Sequence, residues 1–226
     1  MHRPIEKVNT ITSQELKALC EDGRAIEDKA GHPAVVLHPD GTVSKFWARK
    51  KKLISSASLR PYSNRFIKNA RELHQRGIVT PEIISHTAVE KSHIRIVRYR
   101  SLPGRSIREL LETDPQQVDV GNLCGYICQL HEKGILFKGM HLGNIIQNTG
   151  QKSYGLIDFT DVKFYSGALP ILRRATNLAT PLRYKEDIKR MAMAGLPDLL
   201  ESYLKLLPLS KTEEQNFQRE VARHIK

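Results

Sequence analysis

Apolar positions along the chain change their period several times, and each change predicts an element. "PAVVLHPDGTVSKFW" (33–47) is two β-rich runs joined by Pro39-Asp40-Gly41, the residue types of a tight turn, so a hairpin is expected. In "SNRFIKNARELHQRG" apolar residues at 66, 67, 70 and 73 recur at helical spacing, with Gly77 as the stop. "HTAVEKSHIRIVRYR" (86–100) reads as a second hairpin. Nearer the N-terminus, Thr12 in "TSQEL" has Glu15 three residues later, a capping box that opens a short helix. After "LPGRS" (102–106) helix predominates, including the amphipathic "VGNLCGYICQLHEKGI", which ends near Gly134. The short hairpin "NIIQNTGQKSYGLIDF" interrupts it. Together these predict an α+β protein, with a strand-rich N-terminal lobe over 1–101 and a helical C-terminal lobe over 102–226 that carries the hairpin. No internal repeat or low-complexity tract is present.

Composition places the chain among globular proteins: 226 residues, 40% hydrophobic and 27% charged. "VGNLCGYICQL" is far too short for a membrane span, and "MHRPIEKVNT" has no apolar signal core, so a cytoplasmic protein is expected. Of three cysteines, Cys124 and Cys128 share one helical face and read as buried thiols; no CxxC pair suggests zinc. Charge changes the picture more. The formal net charge is +12, and residues 41–100 hold 14 basic against 3 acidic side chains, including the run "ARKKKL". Such a segment is a solvated face or a surface for an anionic partner.

The chemistry concentrates in "GILFKGMHLGNIIQNTGQKSYGLIDF" (134–159). A hairpin with Asn144 at one end and Asp158 at the other brings together two hard oxygen ligands, as a magnesium–phosphate site requires. Upstream, Lys45 stands mid-strand among apolar residues in "TVSKFW", and Glu72 is the only acidic residue between Gly41 and Pro81. A strand lysine and a helix glutamate that precede an Asn and an Asp follow the logic by which kinases grip nucleotide phosphates. The strand is expected over 42–47 and the helix over 64–76, with the Lys45 ammonium facing the helix. Taken singly, Lys45 is also an ordinary strand lysine reaching solvent, and Glu72 a helix-surface glutamate.

"SKFW", "RFIKNARELHQRGIVTPEII", "LPGRSIRELL", "LHEKGI" with "HLGNII", and "GLIDFTDVKFYSGALPILRRATNLATPLRY" resemble the lipopolysaccharide-core (heptose and Kdo) kinases, in their toluene-tolerance branch. The resemblance covers most of residues 40–185. It implies a compact protein-kinase-like fold, ATP with Mg²⁺, and a sugar hydroxyl of the lipopolysaccharide core as acceptor at the cytoplasmic face of the inner membrane. By the same carry-over Lys45 holds nucleotide phosphates with Glu72 as its partner, or Asn69 one turn earlier. Asn144 and Asp158 hold the metal, and residues near 98–104 surround adenine. The implied partners are the core glycolipid or another anionic glycan and an anionic membrane surface, not nucleic acid.

The chain departs from the kinase pattern at three places. Aligned on Asn144, the position of the usual catalytic aspartate is Gly139, within Phe137-Lys138-Gly139. No GxGxxG precedes Lys45; only Gly31 in "DKAGHP" stands where a phosphate-covering loop belongs. Thr160 replaces a glycine two residues after Asp158. A positioned base contributes about 10²–10⁴-fold, whereas phosphoryl transfer draws mostly on positioning and metal electrostatics. His141, two residues past Gly139, is the nearest catalytic candidate beside Asp158; its alternative is a hydrogen bond to the loop backbone. Asp161 and Lys138 are further candidates. The expected function is an ATP-dependent sugar kinase; the alternatives are a catalytically impaired kinase-like binding protein and a nucleic-acid module. The last is disfavoured by 6% aromatics and the lack of a binding motif.

Overall fold

The computed structural model describes residues 8–29, 32–48, 61–149 and 153–225. Gly31, the basic residues 49–52 and the turn residues 150 and 151 lie outside them. Contacts divide the chain into two units, Met1–Glu72 with Thr80–Leu102, and Leu73–Val79 with Pro103–Lys226.

In the first unit, strands β1 (Asn9–Ile11), β2 (Arg24–Lys29), β3 (His32–Leu37), β4 (Thr42–Ala48), β5 (Glu82–Val89) and β6 (Ile94–Arg100) form a sheet in the order β1-β5-β6-β4-β3-β2. β1 pairs parallel with β5; the other pairings are antiparallel. Both expected hairpins are present. Asp40 fixes the first turn by accepting from the Thr42 amide at 2.9 Å and its hydroxyl at 2.6 Å, while Gly41 takes φ +75°. Strand alternation then sorts the faces. Phe46, Val36, Val89 and Ile96 form a buried cluster with Leu16, Leu19 and Cys20 of helix α1 (Ser13–Glu21) packed against it. On the other face Trp47 and Tyr99 lie 5.5 and 5.6 Å, centroid to centroid, from Phe66 of helix α2 (Tyr62–Gln75).

The Thr12–Glu15 capping box opens α1 as expected, with Glu15 N–H donating to Thr12 Oγ1 at 3.2 Å and Thr12 N–H to the Glu15 carboxylate at 2.7 Å. In α2 the predicted stripe Phe66, Ile67, Ala70 and Leu73 is buried. The helix ends where the sequence put the stop. Gly77, at φ +70°, donates to His74 O, and Ile78 donates to Leu73 O, both at 2.9 Å, a Schellman closure.

The second unit is helical, built from α3 (Ile107–Thr113), α4 (Val120–Glu132), α5 (Ile171–Leu182), α6 (Lys185–Met193), α7 (Leu199–Leu204) and α8 (Lys211–His224). Two small ladders accompany them. In one, β9 (Ile145–Gln147) lies between β7 (Arg105–Ser106) and β10 (Tyr154–Leu156); in the other, β8 (Ile135–Phe137) pairs with β11 (Val162–Phe164). Cys124 is buried, donates to Leu199 O at 3.4 Å, and burial pushes its thiol up to about 12. Cys128, expected to be buried with it, is only half-buried, because the apolar side of α4 centres on Leu123, Ile127 and Leu130. The α+β expectation holds: a strand-rich first unit and a helical second one. Part of the basic excess of 41–100 is already paired, Arg98 with Asp40 at 2.9 Å and Arg100 with Glu82 at 3.8 Å. Among the described residues no helix is long and apolar enough to cross a membrane.

Candidate functional site

The lysine expected to hold phosphates is positioned by strand register. Lys45 pairs with Val35 on one side and Val97 on the other. Its ammonium lies 5.7 Å from the Trp47 ring centroid and 5.9 Å from that of Phe66, so it faces α2 within an aromatic wall. On α2, Asn69 is buried one turn after Phe66, and Glu72 is half-buried one turn further. Both sequence candidates for its partner therefore stand on the helix the ammonium faces. His86, in register with Val97, also faces α2, its Nε2 3.1 Å from Ser63 Oγ; burial first, then Arg95, lower its pKa.

In the second unit the loop that carries the chemistry is held from beneath. His131, fully buried near the end of α4, has Nδ1 2.6 Å from Tyr203 Oη and Nε2 3.2 Å from Asn177 Oδ1. Asn177 on α5 clasps Phe137, accepting from its amide at 3.3 Å and donating to its carbonyl at 2.7 Å. The last residue of β8 is thereby fixed at the entrance of the loop. Burial holds His131 far below the ordinary imidazole range, at about 3, so the network is neutral.

From Phe137 the chain turns tightly. Lys138 donates to Asp161 O at 3.0 Å through its amide, and Gly139 O accepts from the His141 amide at 2.8 Å and from Asn144 Nδ2 at 2.9 Å. Asn144 is buried, at the end of a 3-10 turn over Leu142–Asn144. Its amide nitrogen is committed to Gly139, which leaves the oxygen as the end available to a hard cation. In the hairpin Ile145 pairs with Leu156, and Asn144 O accepts from Ile157 N–H at 3.0 Å. Asp158 follows directly, so the register brings Asn144 and Asp158 to one end of the ladder. Asp158 was expected to close its strand. The strand instead stops at Leu156, and Asp158 sits exposed in the turn beyond, at φ +50°, a left-handed conformation that a non-glycine residue seldom holds. Backbone outliers of this kind gather at functional sites.

His141 is half-buried, its ring 4.9 Å from that of Tyr184. Burial lowers its pKa, as does Arg108, while Asp187 and Asp158 oppose the shift; at neutral pH the imidazole is uncharged. Its Nδ1 is buried with no hydrogen-bond partner among the described residues, and the ring makes no cap to the 3-10 turn. It is therefore not tied to the loop backbone. Gly139 has no left-handed φ; a Cβ there would stand 3.0 Å from the Phe137 ring and 3.5 Å from Asn144 Nδ2. Space beside that ring, rather than backbone conformation, suits glycine to the position.

Sequence reasoning missed the group around His141. Arg108 on α3 donates from Nε and Nη2 to Asp187 of α6, with the closest approach 2.7 Å, and its guanidinium lies 4.8 Å from the Tyr184 ring centroid. Only Arg108, next to Glu109 among the apolar residues of "IRELL", hinted at it. His131 was legible in principle, four residues after the buried Ile127.

No family model matches the chain, and no curated protein does. Among solved structures, the crystal structure of monomeric WbdD is similar at 18% identity and a TM-score of 0.48, over 85% of this chain and 44% of the other. A second crystal structure of WbdD, at 2.2 Å, gives 15% identity and a TM-score of 0.44, over 83% of this chain and 48% of the other. The chain thus spans less than half the length of the WbdD chains it matches.

Proposed function

We propose that this chain is a Mg²⁺- and ATP-dependent phosphotransferase whose acceptor is a sugar hydroxyl of the lipopolysaccharide core. The observation that carries the reading is the Asn144–Asp158 pair: a buried amide with its nitrogen committed to Gly139 O, and a carboxylate on a left-handed residue at the same end of one hairpin. One amide oxygen and one carboxylate suit Mg²⁺, which keeps several waters and takes its other ligands from phosphates. When bound, Mg²⁺ would neutralise charge on the transferred phosphoryl group. In this reading Lys45, backed by Glu72 or Asn69, takes nucleotide phosphates as a point charge. His141, neutral near pH 7, is the candidate to receive the acceptor proton. The sugar acceptor and a peripheral place at the inner membrane come from the sequence resemblance. They are tested by mass spectrometry of lipopolysaccharide core from cells with and without the protein; a core unchanged in phosphate content overturns them.

Gly139 favours a second reading. The carboxylate that usually stands there is replaced by a glycine whose Cβ position abuts the Phe137 ring at 3.0 Å, as suits a nucleotide-binding protein that signals through a partner. Calorimetry with Mg–ATP and Mg–ADP, together with product analysis, separates the two. Binding with turnover supports the enzyme; binding without turnover supports the second reading.

A further inference from the structure

A cleft of about 550 Å³ opens in the second unit, between residues 77–79, one face of α4 and the start of β10. Its size falls within the roughly 300–1,000 Å³ that holds small ligands. The long wall is α4, where Asn122, Gly125, Tyr126 and Gln129 recur at helical spacing and so share one face. Gly125 is the residue that leaves the cleft open. It stands inside the helix, where glycine costs stability relative to alanine, yet its φ is not left-handed. An ideal Cβ there meets nothing within 4 Å, so no neighbour excludes a side chain either. Neither backbone nor packing calls for glycine, and what the missing side chain leaves is space.

The lining sets the class of ligand. The Tyr126 and Tyr154 rings, 5.3 Å apart between centroids and both buried, give a firm apolar floor. Val79, 44% exposed, adds an apolar wall. Its backbone is pinned, since its carbonyl accepts from Leu156 N–H at 2.9 Å. Around these stand two side-chain amides and a hydroxyl. Asn122 commits its nitrogen to Asp119 at 2.7 Å, which leaves its oxygen to accept. The exposed Gln129 can donate and accept, and Ser153 supplies the hydroxyl. Among the described residues no charged side chain lines the cleft. Lys133, whose ammonium lies 3.6 Å from the Cβ position of Gly77, is turned to Arg76 O at 2.6 Å.

We infer that this cleft binds an uncharged sugar ring, as a glycan subsite apart from the Asn144–Asp158 pair. Sugar hydroxyls both donate and accept, and so do the amides and the hydroxyl that meet them. The apolar C–H groups of the ring lie against Val79 and the tyrosine floor. An anion would lose hydration there with no cation to replace it. The cleft adjoins the turn end of the hairpin, where Tyr154 pairs with Gln147, and the Asn144–Asp158 pair stands at the other end. Tyr154 and Asp158 are four positions apart, no more than about 14 Å of chain, a distance that one short oligosaccharide spans. The subsite stands on the geometry of the cleft. Its use, to hold a neutral residue of the acceptor while a neighbouring sugar is phosphorylated, rests on the phosphotransferase reading.

The test is a titration of the full-length protein with methyl glucoside, methyl galactoside and a methyl heptoside, followed in ¹H–¹⁵N spectra. Saturable shifts are expected at the Gly77 and Gly125 amides and at the side-chain amides of Asn122 and Gln129. They should appear by about 50 mM glycoside, far above a millimolar Kd. Gly125→Leu fills the open space and should weaken binding at least about tenfold, with a denaturation midpoint at or above that of wild type. Gln129→Ala, an exposed change, should weaken it about threefold or more, the loss of one hydrogen bond. No shift with any glycoside, or a Gly125→Leu affinity within about twofold of wild type, overturns the subsite. Should Gly125→Leu fail to fold, the same twofold limit on Gln129→Ala decides. Glucose 6-phosphate forms a separate arm, and tighter binding of it than of methyl glucoside at the same amides overturns the neutral class. Mg–ADP affinity is measured in parallel: its absence in the wild type overturns the phosphotransferase reading, while a glycoside response keeps the subsite.

Discussion

Asp158 shows how one residue joins strain to chemistry. Its φ of +50° is tolerated best by glycine, asparagine and aspartate, so Asp158→Asn changes the charge without disturbing the backbone. Its thermal unfolding should match wild type, while Mg–nucleotide-dependent turnover falls by about 10²-fold or more. Equal Mg–nucleotide affinity and turnover in the two proteins would remove Asp158 from the metal site. Gly139→Asp is the complementary change. Because Gly139 is not left-handed, its obstacle is the Phe137 ring at 3.0 Å, which must give by a few tenths of an ångström. The variant should fold at a cost of about 1–2 kcal/mol, read as a lowered denaturation midpoint, and its turnover should equal or exceed that of wild type. Turnover below wild type in a folded variant would mean that the loop no longer presents this position to the acceptor.

At the scale of elements, the base of the loop matters as much as the loop. Asn177 serves the Phe137 amide, the Phe137 carbonyl and His131 at once, so Asn177→Ala strands buried polar groups on two other elements. A loss of about 2–4 kcal/mol in unfolding free energy is expected, with turnover falling further than that of a surface control. His131 adds a pH signature. Its folded pKa, about 3, lies below the unfolded value of about 6.5, so the neutral ring's contribution is fully present above pH 6.5 and is lost as pH falls toward 3. The unfolding free energy from denaturant titration should decline through that window by up to about 1.4 kcal/mol per pH unit for this group. The hairpins, the α2 stripe and the Thr12 cap were legible because each is encoded by neighbours in sequence. Ladder β8–β11 was not, since Ile135–Phe137 pairs with Val162–Phe164 across most of the loop and hairpin. The same holds for Arg108 and Asp187, 79 residues apart: neither side chain announces the other. The Asn144–Asp158 pair was legible from its hairpin, but the left-handed conformation of Asp158 was not, because no local pattern around an aspartate encodes it.

Across the whole molecule, charge and chain division set expectations of their own. If the basic segment meets an anionic glycan or bilayer, binding to anionic vesicles should weaken steeply between about 50 and 200 mM salt, because exposed charges are screened within about 8 Å at physiological ionic strength. Charge reversal at Lys50, Lys51 and Lys52 should weaken it further, whereas salt-insensitive binding would make the run a solvated face. Arg98 and Arg100, engaged with Asp40 and Glu82, should contribute little.

The spatial division has a consequence for dissection of the protein. Leu73–Val79 precedes β5 in sequence yet belongs to the second unit, where Val79 bridges Gly155 and accepts from Leu156 N–H at 2.9 Å. Arg76 donates to Tyr165 O at 2.9 Å, and Lys133 donates back to Arg76 O at 2.6 Å. A protease cut between Leu102 and Pro103 would therefore yield a C-terminal fragment that lacks a piece of its own core, with β10 exposed along one side. Such fragments should stay associated after cleavage and separate only in denaturant, as a split reporter protein does.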